Sequence, residues 1–216
     1  MTTATCTVAD RVATRLRPAA GVTVALGRTA AFAEPDPRAA SDVAAWRTDE
    51  SRSARALLRW LLTGELGADA AAAPIAARRG GQPYLVGRPD LGISLSHGHG
   101  HVAAAVGVGR AVGVDVQAPV RVSAGAIARC CDAAVADELA VLPDDVRDLE
   151  FAWIWTVQEA CVKAAGTGLA GRPWSSPVGL GQRDGRWLGH SWLSLRDDSA
   201  VPLSVAHRPC AAGGPR

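Results

Sequence analysis

From about Ser41 to Leu66 the apolar positions Ala54, Leu57, Leu58, Leu61 and Leu62 recur at the three- and four-residue spacing of an amphipathic helix, and Gly64 and Gly67 punctuate its end. Three apolar runs follow, Leu91 to Ser96, Val102 to Val108 and Ala111 to Val116, separated by glycine-rich turns. They predict three successive strands, the last closed by Pro119. Leu149 to Ala165 is apolar almost all round, which predicts a largely buried helix; Gly166-Thr167-Gly168 then offers a left-handed C-terminal cap. Val22 to Leu26 and Val201 to Ala206 read as short strands, and Arg186 to Leu195 alternates loosely through Trp187, Leu188, His190, Trp192 and Leu195. Elsewhere the pattern fades. Residues 1 to 20 show no clear period, Ala33 to Arg38 reads as loop, Ala68 to Ala77 as a helix end or connector, Arg78 to Pro83 as loop, and 207 to 216 as a frayed tail.

With 216 residues, 48% of them apolar, the chain can bury one sizeable core or two small ones. The 23 basic and 21 acidic side chains leave a formal charge of +2, which gives no electrostatic case for nucleic-acid or membrane-surface binding. Any anion must be met by a local site. No apolar stretch reaches the roughly 18 residues of a membrane span and no leader pattern opens the chain, so a cytoplasmic protein is expected. Cys6, Cys130, Cys131, Cys161 and Cys210 form no CxxC and are expected to be reduced structural thiols.

One compositional feature points to a site. Twenty-two of the 23 basic residues are arginine, and the single lysine is Lys163. Retention of one lysine suggests a place that needs a compact charge with three rotatable donors. Glu159 and Lys163, four apart on the apolar helix, share a face; a simple helix pair accounts for them until burial calls for further partners. In Val112-Gly113-Val114-Asp115-Val116-Gln117, strand alternation puts Asp115 and Gln117 on one face and the valines on the other. An ionised Asp in an apolar strand calls for a metal, a cation or backbone donors, or else caps the turn before Pro119. Arg52, Arg55 and Arg59 form a basic stripe that suits a solvated face or an anion contact. His97, His99 and His101 would share one face of a strand as a zinc site, a reading weakened by the glycines between them.

In order and spacing, Gly81-Gln82-Pro83, Leu95-Ser96-His97, Val112 to Gln117, and Trp155-Thr156-Val157-Gln158-Glu159-Ala160-Cys161-Val162-Lys163-Ala164-Ala165-Gly166-Thr167-Gly168-Leu169 resemble the patterns of the long, surfactin-synthetase-activating type of 4'-phosphopantetheinyl transferase. The likeness covers roughly residues 50 to 206. It implies an α+β fold of two similar lobes, residues 1–108 and 109–216, with coenzyme A in the cleft between them. The implied reaction moves phosphopantetheine from coenzyme A to a serine of an apo acyl or peptidyl carrier protein of polyketide, nonribosomal peptide or fatty acid synthesis.

By position, the resemblance makes Asp115 and Glu159 ligands of Mg2+, or of Mn2+, with Gln117 where many members carry a third carboxylate. Glu159 also matches the proposed base for the carrier serine, and Lys163 the lysine that contacts the coenzyme A phosphates. Ser96 and His97 match a phosphate-contacting pair. Gly81, Gln82 and Pro83 match the loop near the 3'-phosphoadenosine, where arginines of the Arg47 to Arg59 stretch, Arg47 and Arg55 among them, are expected to help. Gln158 stands where the pattern has lysine, removing a charge expected beside the site. These two glutamines leave open a weakened homologue that binds coenzyme A or a carrier protein without efficient transfer. A monomer is expected.

Overall fold

The computed structural model describes residues 13–32 and 43–210, with side chains described from residue 49 onward in the second segment. Cys6 and the Ala33 to Arg38 loop lie outside the described residues, as does the side chain of Arg47.

Two four-stranded antiparallel sheets form the centre. The first joins β1 (Ala13–Ala19), β2 (Val22–Arg28), β6 (His101–Val108) and β5 (Leu91–Gly98), in that spatial order. The second joins β7 (Arg110–Val116), β10 (Leu203–Pro209), β9 (His190–Ser194) and β8 (Asp184–Trp187). A two-stranded ribbon, β3 (Ile75–Ala77) with β4 (Pro83–Leu85), stands apart. The helices are α1 (Thr29–Phe32), α2 (Val43–Leu66), α3 (Ala68–Ala72), α4 (Ala124–Cys130), α5 (Ala133–Ala140) and α6 (Asp144–Ala165).

Strand alternation sorts the core into three seams. On β6, Val102, Ala104 and Val106 join Leu57, Leu58, Leu61 and Leu62 of α2, while Ala103 and Ala105 meet Val112, Val114 and Val116 of β7. The second sheet turns its other face, including Trp192 and Ala206, to Ile154, Val157, Cys161 and Val162 of α6. The order of layers is therefore α2, first sheet, second sheet, α6. Each fully buried leucine of α2 contributes about 1.5 to 3 kcal/mol through area removed from water.

Several boundaries differ from the sequence reading, each for a tertiary reason. Ala13–Ala19 is a strand although its sequence shows no period, because it is an edge strand in which Pro18 is tolerated and pairing with β2 supplies the order. The Arg186 to Leu195 alternation is a hairpin broken at Leu188-Gly189, both at positive φ. β10 continues to Pro209 because its last residues pair with β7, while β9 covers Ser204 to His207 from the other side. Helix α6 starts at Asp144, with Asp144 and Asp145 placed favourably in its first turn. Helices α4 and α5, capped by the Ser123 and Asp132 side chains, were not foreseen. The stretch from 68 to 85 holds α3 and the β3–β4 ribbon around the expected turn.

Where β7 crosses α6, position 113 admits only glycine: a Cβ there would run into the Ala160 carbonyl and the Ala164 amide. This close approach brings the next residues of β7 against the last turns of α6. That helix ends on Gly166 at φ 72°, whose amide reaches the Lys163 and Val162 carbonyls.

Candidate functional site

Asp115 is 6% exposed, and alternation turns it from the valine seam towards α6. There its Oδ1 accepts from Lys163 Nζ at 2.6 Å and from the Ser96 hydroxyl at 2.6 Å. Lys163 Nζ also donates to Ser96 Oγ and to the Val114 carbonyl, each at 3.2 Å. Three ammonium hydrogens thus meet three acceptors, an arrangement that a planar guanidinium cannot copy. The expected Glu159–Lys163 helix pair gives way to this one, since Lys163 reaches across to Asp115.

Ser96 belongs to the first sheet and Asp115 to the second. Both β5 and β7 are edge strands of their sheets, and serines of β5 complete the unpaired edge of β7: Ser94 Oγ accepts from Val114 N at 3.0 Å and Ser96 Oγ from Val116 N at 3.3 Å. A single hydroxyl therefore ties strand edge, carboxylate and lysine together.

Glu159 lies one turn before Lys163 on α6. Burial raises its pKa above the ordinary carboxylate range; Asp115 raises it further, against the opposing influence of Lys163. The Asp115 and Glu159 carboxylates, with the Gln117 amide on the same strand face as Asp115, offer oxygen donors of the kind hard divalent ions take. Gln117 donates through Nε2 to the Ala118 carbonyl at 3.1 Å, which leaves its carbonyl oxygen as the atom free to accept a donor or a cation. The residues fit a hard cation, although among the described residues no cluster of three His, Cys, Asp or Glu is prearranged for a metal.

The family model of the 4'-phosphopantetheinyl transferase superfamily matches residues 111–201, the stretch that carries Asp115, Glu159 and Lys163. Over that segment, a little over two fifths of the chain, the sequence is similar to the 4'-phosphopantetheinyl transferase superfamily. A search of curated proteins finds no match to the chain.

Within the matched segment, Gln158 departs from the sequence expectation. It is 1% exposed and donates to the carbonyls of Cys130 at 2.7 Å and Ser176 at 3.2 Å, so it fastens α4 and the Ser176 loop to α6. The helical turn directs it away from the Glu159 face, and it removes no charge from the site. The buried Cys161 thiol and the half-buried Cys131 thiol are pushed up to about 12 and about 11 by burial, and the described cysteines are all unpaired to one another.

Outside that segment, the Gly81-Gln82-Pro83 turn docks on the end of α6, where Gln82 Nε2 donates to the Lys163 carbonyl at 3.3 Å. His97 points to the other face of β5 from Ser96 and sits against Glu50 of α2, 3.3 Å from Oε2. Arg55 is exposed on α2. Arg59 is taken up by the carbonyls of Ala71 and Ala73, so it anchors α3 and is neither a solvated charge nor a free anion contact. The three histidines do not share a face: His99 sits in the β5–β6 turn at φ 51° and His101 is buried on β6, its Nδ1 3.2 Å from the His99 carbonyl. The zinc reading falls with them.

Glu50 and Ser94 were missed by sequence reasoning. Glu50 sits in a run of polar and charged residues that reads as a solvated helix face, and only the packing of α2 on β5 buries it. A separate pocket of about 390 Å³, lined by Arg17, Gly21, Thr23, Glu65 and Val108 among others, shares no residue with this site. Among the described residues no helix is long and apolar enough to cross a membrane.

Proposed function

We propose that the protein transfers the 4'-phosphopantetheine group of coenzyme A to a serine of an apo acyl or peptidyl carrier protein. The carrying observation is the Asp115–Lys163–Ser96 group, which joins two sheets at the one lysine of the chain within the superfamily segment.

In this reading the chain divides near Gly109 into lobes of residues 1–108 and 109–216, with coenzyme A between them. Asp115, Glu159 and the Gln117 carbonyl would hold Mg2+ or Mn2+, which supplies neutralisation of charge on the pyrophosphate oxygens. Glu159, with its raised pKa, takes the proton of the carrier serine. The serine oxygen forms a bond to the β-phosphorus as the bond to 3',5'-ADP breaks and that group leaves as an anion. Lys163 offsets the charge that gathers on the phosphoryl oxygens. His97 and the Gly81 to Pro83 turn serve the phosphates and adenosine, helped by Arg47 and Arg55. The Arg129 to Leu142 region, with exposed Arg129 and Val141, supplies a surface for the carrier protein. A monomer is part of this reading.

The test is incubation with coenzyme A, Mg2+ and a panel of apo carrier proteins from polyketide, nonribosomal peptide and fatty acid systems, read by mass spectrometry. Gain of one phosphopantetheine group on the carrier serine is the expected result. Binding of coenzyme A with no transfer to any carrier would favour the weakened homologue.

A further inference from the structure

We infer that Glu50 is a positioning residue for His97, holding its imidazole so that the free ring nitrogen meets a phosphate of coenzyme A. The inference rests on the coenzyme A reading above and adds a residue outside the superfamily segment.

Its ground is geometric. Glu50 is 2% exposed, and a carboxylate so placed needs donors. Its Oε2 lies 3.3 Å from His97 Nδ1 and its Oε1 accepts from Gly100 N at 3.2 Å, so one side chain of α2 holds both the imidazole and the β5–β6 turn that follows it. His97 differs from its partner: its side chain is 36% exposed. The ring is therefore held at Nδ1 from inside while about a third of the side chain stays open to solvent.

With Glu50 accepting at Nδ1, that nitrogen carries a hydrogen, and Nε2 is left to face solvent. A phosphate arriving at Nε2 needs a donor there. The ring becomes one by taking up a proton, giving the alternation carboxylate, imidazolium, phosphate, in which each neighbour pair is attractive. Without Glu50 the same ring would be free to turn, and its second proton would lack the inner counter-charge.

The other titratable groups near this ring are His99 in the turn, His101 on the neighbouring strand with Arg28 beside it, and Asp115 with Lys163 beyond Ser96 on the opposite face of β5. None of these bonds to Nδ1. Binding-linked protonation that depends on Glu50 therefore separates its role from theirs.

The experiment is calorimetry of coenzyme A binding in two buffers of different ionisation enthalpy, on wild type, Glu50→Gln, Glu50→Asp and His97→Ala, with melting temperatures recorded for each. Wild type should take up more protons on binding than Glu50→Gln, and Glu50→Gln should bind about tenfold more weakly, a change of about 1.4 kcal/mol. Glu50→Asp should recover part of both effects. Adding His97→Ala to Glu50→Gln should cost little more than either alone, because the two act as a unit.

Glu50→Gln with wild-type affinity and proton uptake, beside a His97→Ala protein that has lost both, would overturn the inference and leave Glu50 as a clamp on the Gly100 turn. Equal loss of melting temperature with no change in proton uptake would do the same. Wild-type protein that binds no coenzyme A would overturn the functional reading, and this inference with it.

Discussion

Replacing Lys163 by methionine tests whether the central group holds the two sheets together. Methionine keeps the length and flexibility of the side chain and removes only the ammonium. Asp115 would then lie 6% exposed with a charge answered by the Ser96 hydroxyl alone, and the Val114 carbonyl would lose its donor. Removing one partner of a buried ion pair costs about 3 to 5 kcal/mol in fully enclosed cases. Here the Lys163 side chain is 27% exposed and Ser96 remains at 2.6 Å, so the smaller figure of about 2 to 3 kcal/mol applies. Urea unfolding at neutral pH reads it directly, and the melting temperature should drop by roughly 4 to 12 °C for a chain of this size. A double-mutant cycle with Asp115→Asn should return a coupling of about 1.5 kcal/mol or more. Lys163→Arg should recover less than half of the loss, because its planar fork cannot reach all three acceptors. A Lys163→Met protein within about 0.5 kcal/mol of wild type, or a coupling near zero, would refute the view that this pair is a tertiary fastening.

Gly113→Ala should destabilise by about 3 kcal/mol or more in the same assay, since the new methyl meets α6 backbone that cannot yield; near-neutral stability would show that α6 can shift away from β7. Burial lowers the pKa of His101, His190 and His207, with Arg28, Arg208 and Arg110 adding to it, so the unfolded chain takes up protons first as pH falls. Their contribution should be complete above about pH 6.5 and be lost progressively below it, and His207→Gln should flatten the dependence of the urea midpoint on pH between 7.5 and 5.5. Gln158→Leu should cost about 1 to 3 kcal/mol in stability through the freed carbonyls of Cys130 and Ser176, with coenzyme A affinity unchanged; a loss of affinity would return Gln158 to the site. In the transfer assay Asp115→Ala should lose on the order of a hundredfold in kcat/KM and Gln117→Ala less than about tenfold, and a Mg2+ titration that leaves wild type indifferent to chelator would remove the metal.

The pattern of the chain by itself determined the elements whose burial is one-sided or complete over many residues. Helices α2 and α6 and strands β5, β6 and β7 were legible because a leucine stripe or a run of small apolar residues can satisfy only one period. The lone lysine and the single carboxylate among valines marked Lys163 and Asp115, because both are costly where they stand. What they do to each other was not legible. Lys163 had an obvious partner four residues away in Glu159, and sequence spacing favours such local pairs; only the close crossing at Gly113 brings β7 near enough for Asp115 to displace it. Strand β1 and helices α4 and α5 were hidden for the opposite reason, since their order comes from edge pairing and side-chain caps rather than from a strong apolar period. Ser96 and His97, adjacent in sequence, serve opposite faces of β5, one meeting Asp115 and the other Glu50. The alternation of a strand is in the sequence, but what waits on each face is decided by how α2, β5, β7 and α6 pack, because burial of a polar group is a property of its neighbours.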